Sequence, residues 1–262
     1  MNTPNYLEGG RRNQIIRIGD CVHRPIGPWT TQIHKFLYHL REKGFYSAPK
    51  PLGFDEDGRE ILSFIEGNVS NYPLSADACS ISALISSAHL LRNFHEASTS
   101  FLAGFTSDEK LWQLPARQPQ ELICHGDFAP YNVVLNRDKA IGIIDFDTCH
   151  PGPRTWDIAY ALYRWSPFTN PNNKDGFGTI DEQILRADLF CKAYGLSNEQ
   201  RAEAANLIIE RLQVLVDFLL TQAQKGNSDF ELNRQEGHHL LYKADIDYIR
   251  HHLIKIENGL KN

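Results

Sequence analysis

Apolar positions in residues 1–67 come in short runs broken by turn residues, whereas beyond residue 75 they recur mostly at helical spacing. Residues 14–18 and 21–24 read as two strands around Gly19-Asp20, a tight-turn signal. Ile33, Phe36, Leu37 and Leu40 then share one helical face behind Thr30-Thr31, with threonine as the expected cap and Gly44 as the stop. Leu52-Gly53-Phe54 and residues 60–65 predict a second strand pair, turned at Asp55-Glu56-Asp57-Gly58. Residues 67–73 have linker composition. Residues 80–95 carry Ile81, Leu84, Ile85, Leu90, Leu91 and Phe94, too apolar for an exposed helix, so a core helix is expected. Val133-Val134-Leu135 and residues 140–144 predict a hairpin turned at Asn136-Arg137-Asp138-Lys139. Helices are predicted over 157–165, 181–194 and 197–224, the last opened by the capping box Ser197-Asn198-Glu199-Gln200 and closed by Lys225-Gly226. A final helix is predicted over 235–257 from Leu240, Leu241, Ile246, Ile249, Leu253 and Ile256. The pattern is that of an α+β chain, with a small β-rich lobe over 1–67 and a larger, mainly helical lobe over 68–262.

Composition refines this picture only at its edges. With 262 residues, 42% hydrophobic and 23% charged, the chain can build one large or two modest cores. A formal net charge of −5 argues against a nucleic-acid partner, whose footprint is normally basic. Residues 1–14 hold no apolar leader and no window reaches membrane-span length, so a cytoplasmic protein without a membrane partner, monomeric or weakly dimeric, is expected. The five cysteines (Cys21, Cys79, Cys124, Cys149, Cys191) are scattered without a Cys-x-x-Cys pair, which suggests neither a disulfide framework nor a zinc site.

The chemistry concentrates between residues 125 and 157. His125-Gly126-Asp127 is followed five residues later by Asn132, and thirteen residues after that by Asp145 at the end of the run Ile141, Ile143, Ile144. A hairpin brings its two ends together, so Asn132 and Asp145 should meet at one edge, with Asp127 just before it. Phosphoryl transfer leaves the protein mainly positioning and charge neutralisation: one carboxylate to take the hydroxyl proton, and hard oxygen ligands for a magnesium ion on the phosphates. This order and spacing supply both.

His125-Gly126-Asp127-Phe128-Ala129-Pro130-Tyr131-Asn132 resembles the catalytic loop of the aminoglycoside phosphotransferase and choline-kinase-like family, with Gly where protein kinases carry Arg. Ile144-Asp145-Phe146-Asp147 resembles that family's metal-binding segment, and Gly152-Pro153-Arg154-Thr155-Trp156-Asp157-Ile158-Ala159 its following helix start. Upstream, Leu90-Leu91-Arg92-Asn93-Phe94-His95 and Leu62-Ser63-Phe64-Ile65-Glu66-Gly67 look like the family's helix end and inter-lobe hinge. The resemblance implies a two-lobed protein-kinase-like fold and a kinase that moves a γ-phosphoryl group from ATP or GTP, with Mg²⁺, to a hydroxyl of a small aminoglycoside-like, choline-like or sugar-like molecule. It further implies Asp127 as catalytic base, His125 as a brace for the loop, and Asn132 and Asp145 as metal ligands, with Asp147 as an additional carboxylate. Backbone groups of Phe64, Ile65, Glu66 and Gly67 would serve the nucleotide base.

Two departures stand out. No lysine precedes Lys35, so Arg24 is best placed to replace the usual strand lysine, while the following helix offers Gln32 or His34 where its glutamate partner should be. The glycine loop reduces to Gly9-Gly10. These departures motivate an alternative, a catalytically silent kinase-like binding or regulatory protein. A metal-dependent hydrolase built on His125, Asp127, Asp145 and His150 is a third reading. The acceptor and the choice of ATP or GTP are left open by the sequence.

Overall fold

The computed structural model describes residues 5–7, 15–104 and 111–261. Gly9 and Gly10 lie outside the described residues. The chain packs as two units, Met1–Asn71 with His89–Arg154, and Tyr72–Ala88 with Thr155–Asn262. This division differs from a break after residue 67, because the hairpin bearing Asn132 and Asp145 packs in the same unit as the N-terminal sheet.

The first unit opens with strands β1 (Asn5–Tyr6), β2 (Ile16–Ile18) and β3 (Cys21–Arg24), helix α1 (Thr30–Glu42), and strands β4 (Pro51–Phe54) and β5 (Glu60–Ser63). The five strands form one antiparallel sheet in the order β1-β2-β3-β5-β4. Arg24 on β3 therefore stands directly opposite Glu60 on β5. Helix α1 buries Ile33, Phe36, Leu37 and Leu40, the face that the apolar spacing predicts. Its cap differs from the expectation: Trp29 is the N-cap and makes no side-chain cap, while the Thr30 hydroxyl accepts the Gly27 N–H at 2.9 Å. A threonine inside the first turn is thus spent on the preceding loop.

Beyond the hinge come β6 (Leu122–Cys124), β7 (Val133–Asn136), β8 (Lys139–Ile143) and β9 (His150–Gly152), paired as β6 with β9 and β7 with β8. The hinge is zipped to the hairpin. Asn68 and Leu135 exchange backbone hydrogen bonds of 2.9 and 2.7 Å, and Ile143 N–H donates to the Ser47 carbonyl at 2.8 Å. Gly67 sits at φ +151°, where a Cβ would lie 2.6 Å from Val134 Cγ1 and 2.7 Å from the Leu135 oxygen, so only glycine admits this approach. An aromatic cluster of Phe36, Phe94, Phe146 and His125, with ring centroids 5.1–6.4 Å apart, binds α1 to the segment after β8.

The second unit is helical: α2 (Ala76–Cys79), the first half of α3 (Ile81–Ser98), α4 (Arg154–Trp165), α5 (Ile180–Tyr194), α6 (Asn198–Gln224), α7 (Ser228–Gln235) and α8 (His238–Leu260). The capping box expected at Ser197 is present, and a second one, Thr179 with Glu182, opens α5. The single helix expected over 235–257 is instead two, because Gly237 takes a left-handed φ of +80° and turns the chain between α7 and α8. Asp245 on α8 is fully buried and accepts hydrogen bonds from Tyr163 Oη (2.8 Å), Asn173 Nδ2 (2.8 Å) and Asn170 N–H (2.7 Å). All five cysteines are free thiols, and among the described residues no helix is long and apolar enough to cross a membrane.

Candidate active site

The loop between β6 and β7 is shaped by ties to the segment after β8. His125 is fully buried; its Nε2 lies 3.0 Å from the Ile144 carbonyl, and its Nδ1 is 3.3 Å from the Asp127 N–H. The tautomer that satisfies both contacts donates from Nε2 and accepts at Nδ1. The Thr148 hydroxyl donates to the His125 carbonyl at 2.9 Å. Gly126, at φ +82°, lets the loop pass so close that a Cβ would collide with the Thr148 carbonyl. Ile144 N–H donates to the Asn132 carbonyl at 2.9 Å, and Val133 pairs with Ile143. The hairpin therefore brings Asn132 and Asp145 together at its open end, with Asp127 beside them.

Asp127 is clamped by neighbours within its own loop. Tyr131 Oη donates to Oδ1 at 2.6 Å, and Asn132 Nδ2 donates to Oδ2 at 2.9 Å and to the Asp127 carbonyl at 3.0 Å. With its nitrogen turned onto Asp127, Asn132 has its amide oxygen left for a cation. Asp145 occupies the left-handed region (φ 60°, ψ 69°), a conformation that costs a non-glycine residue about 1–2 kcal/mol. Its side chain is 47% exposed, against 11% for Asp147.

Arg24 ties these carboxylates to the sheet. Its Nε donates to Glu60 Oε1 at 2.5 Å, Nη1 to Asp145 Oδ1 at 2.9 Å and Nη2 to Asp147 Oδ1 at 2.7 Å. The second Glu60 oxygen lies 2.9 Å from His34 Nε2, on α1. Burial works against the charge on Arg24, but Asp147, Asp145 and Glu60 outweigh it and hold the guanidinium above its ordinary pKa. The carboxylate partner that could not be found on the helix thus comes from β5, and the helix supplies His34 to hold it. Glu60 is the residue sequence reasoning missed: as the first residue of a short strand it carries no signal until the β3–β5 register is known. Tyr131 was missed as well, because a tyrosine in a turn does not declare where its hydroxyl points.

A cleft of about 570 Å³ runs along this constellation. Arg24, Asp127, Tyr131, Asn132 and Asp145 line its polar part, and Val22, Leu62, Phe64, Ile65, Val134 and Ile144 its apolar wall. His125, Asp147 and Glu66 are not among the lining residues. Glu66 pairs with Arg17 at 2.9 Å, and Arg17 stacks on the Phe64 ring at 3.7 Å. Phe64 N–H donates to the Asp20 carbonyl at 2.8 Å, so of the four residues expected to serve a base its amide is already taken. The Asn132 amide oxygen and the Asp145 carboxylate both line the cleft and are hard oxygen donors of the kind magnesium takes, whereas Asp147, turned to Arg24, lies outside the lining. The residues of the hydrolase reading are not drawn into a metal site: His150 Nδ1 lies 2.8 Å from the Thr148 carbonyl, and no group of three or more His, Cys, Asp or Glu able to hold a metal occurs among the described residues.

The model of the phosphotransferase enzyme family matches residues 101–195. A trifolitoxin immunity protein of Rhizobium leguminosarum bv. trifolii is 32% identical over 215 residues, 80% of each chain. Among solved structures, a choline/ethanolamine kinase family protein from Mesorhizobium loti superposes with a TM-score of 0.61 at 16% identity, over 98% of this chain and 92% of that one. A streptomycin–ATP–APH(2'')-IIa ternary complex gives 0.52 at 15% identity, over 88% and 91%. The fold is that of these two-lobed, protein-kinase-like enzymes, with a small β-sheet lobe and a larger helical lobe.

Proposed function

The chain belongs to the phosphotransferase enzyme family, and from that premise we propose that it transfers the γ-phosphoryl group of a nucleoside triphosphate to a hydroxyl of a small molecule. The observation that carries this reading is the convergence of Asp127, Asn132, Asp145 and Arg24 at the polar part of one cleft whose remaining wall is apolar and bounded by the hinge. Asp127 takes the acceptor's hydroxyl proton as the oxygen attacks phosphorus. Asn132 and Asp145 would hold a magnesium ion, which supplies charge neutralisation on the phosphates when bound. Arg24 holds its charge at every working pH and offers phosphate oxygens a rigid fork, while Asp147 and Glu60 anchor it from behind. His125 braces the loop from its buried position. The apolar wall and the Ile65–Gly67 backbone fit a purine base.

A thermal-shift titration with ATP and GTP, with and without Mg²⁺, tests the reading. Nucleotide that binds only the folded state raises stability by RT ln(1 + [L]/Kd), so millimolar ligand reveals even a weak site. The expected result is a Mg²⁺-dependent shift that Asp145→Ala abolishes, followed by turnover in a screen of hydroxyl acceptors. No shift with either nucleotide would sink it. The similarity to a protein named for trifolitoxin immunity favours a second reading, a kinase-like module that protects by binding. That reading requires a protein with no nucleotide turnover, and measured transfer or hydrolysis excludes it.

A further inference from the structure

Tyr131 lies in the short turn Pro130–Asn132, and its side chain lines the cleft beside Asp127. The turn is closed by its own backbone bond, Asn132 N–H to the Ala129 carbonyl at 2.8 Å. The Tyr131 hydroxyl donates to Asp127 Oδ1 at 2.6 Å, the short distance of an O–H donor on a carboxylate. Asn132 Nδ2 holds the other oxygen at 2.9 Å. A carboxylate gripped at one oxygen still rotates about its Cβ–Cγ bond; one donor on each oxygen fixes its plane.

We propose that Tyr131 is a positioning residue for phosphoryl transfer: its hydroxyl, with Asn132, fixes the plane of the Asp127 carboxylate against the incoming acceptor hydroxyl. The role rests on the phosphotransferase reading above. Tyr131→Phe removes the hydroxyl and keeps the ring. With Mg·ATP and Mg·GTP as donors and water as acceptor, the variant should lose about tenfold in kcat, the worth of one hydrogen bond to an ionised group. Its KM for nucleotide, nucleotide thermal shift and melting temperature should stay at wild-type values. An unchanged kcat, or a fall in kcat matched by lost stability, overturns the role. A second measurement needs no turnover: in protein labelled with ¹³C at the tyrosine Cζ, the resonance missing from Tyr131→Phe should move in Asp127→Asn, and a resonance that stays in place overturns the contact. A wild type that neither binds nor turns over nucleotide overturns the phosphotransferase reading and this role together, whereas normal wild-type turnover with an unaffected variant overturns this role alone.

Discussion

Replacing Arg24 with methionine keeps much of the side-chain volume and removes the one cation that three carboxylates share. Arg24 is 8% exposed, Glu60 1% and Asp147 8%, whereas Asp145 faces water and contributes little once screening is counted. The loss therefore falls on Glu60 and Asp147, whose buried carboxylates lose the guanidinium. Removing one member of a buried pair costs about 3–5 kcal/mol. At about 2–4 °C per kcal/mol for a chain of this size, the melting temperature should fall by roughly 6–20 °C. Urea unfolding of both proteins at neutral pH measures this. Arg24→Lys, which keeps the charge and loses the fork, should lie between the two. A deficit below about 1 kcal/mol at neutral pH would refute the assignment of Arg24 as the buried countercharge.

Three other outcomes follow from particular contacts. Asp127→Asn should fold normally, since the amide oxygen can still accept from Asn132 and its nitrogen can donate to Tyr131, yet turnover in a coupled nucleotide assay should drop by about 10²–10⁴. Gly126→Ala should lower the unfolding free energy by more than about 2 kcal/mol in urea, because the methyl group adds a collision with the Thr148 carbonyl to the cost of a left-handed φ; wild-type stability would contradict this. Burial holds the Asp245 carboxyl above its usual pKa, so its contribution to stability is fully present at low pH and diminishes as pH rises just above the ordinary carboxylate range. Asp245→Asn should nonetheless destabilise by about 1–3 kcal/mol in urea, since Oδ1 takes the Asn170 N–H and Oδ2 takes Asn173 Nδ2 beside Tyr163 Oη, so an amide nitrogen meets an N–H donor at either position.

The parts legible in the sequence are those set by neighbours along the chain. The spacing from Asp127 through Asn132 to Asp145 encodes a turn and a hairpin, and a hairpin returns its ends to one place by backbone pairing alone. The capping box at Ser197 and the apolar face of α1 are likewise matters of one to four residues. The break at Gly237 was obscured because the apolar spacing of α8 continues back to residue 240, and a glycine ends a helix only where the chain has somewhere else to go. Thr30 illustrates the same limit, its hydroxyl serving a loop rather than the helix it begins. The polar side of the cleft was decided by tertiary structure. Arg24 and Glu60 are 36 residues apart, and their pairing depends on β3 lying beside β5 in one register. The link from Arg24 to Asp145 and Asp147 spans more than a hundred residues and depends on Phe36 and Phe146 packing α1 against the segment after β8. Local sequence determined which groups could do the chemistry; long-range packing, whose energy comes from burial and not from neighbours in the chain, decided which of them meet.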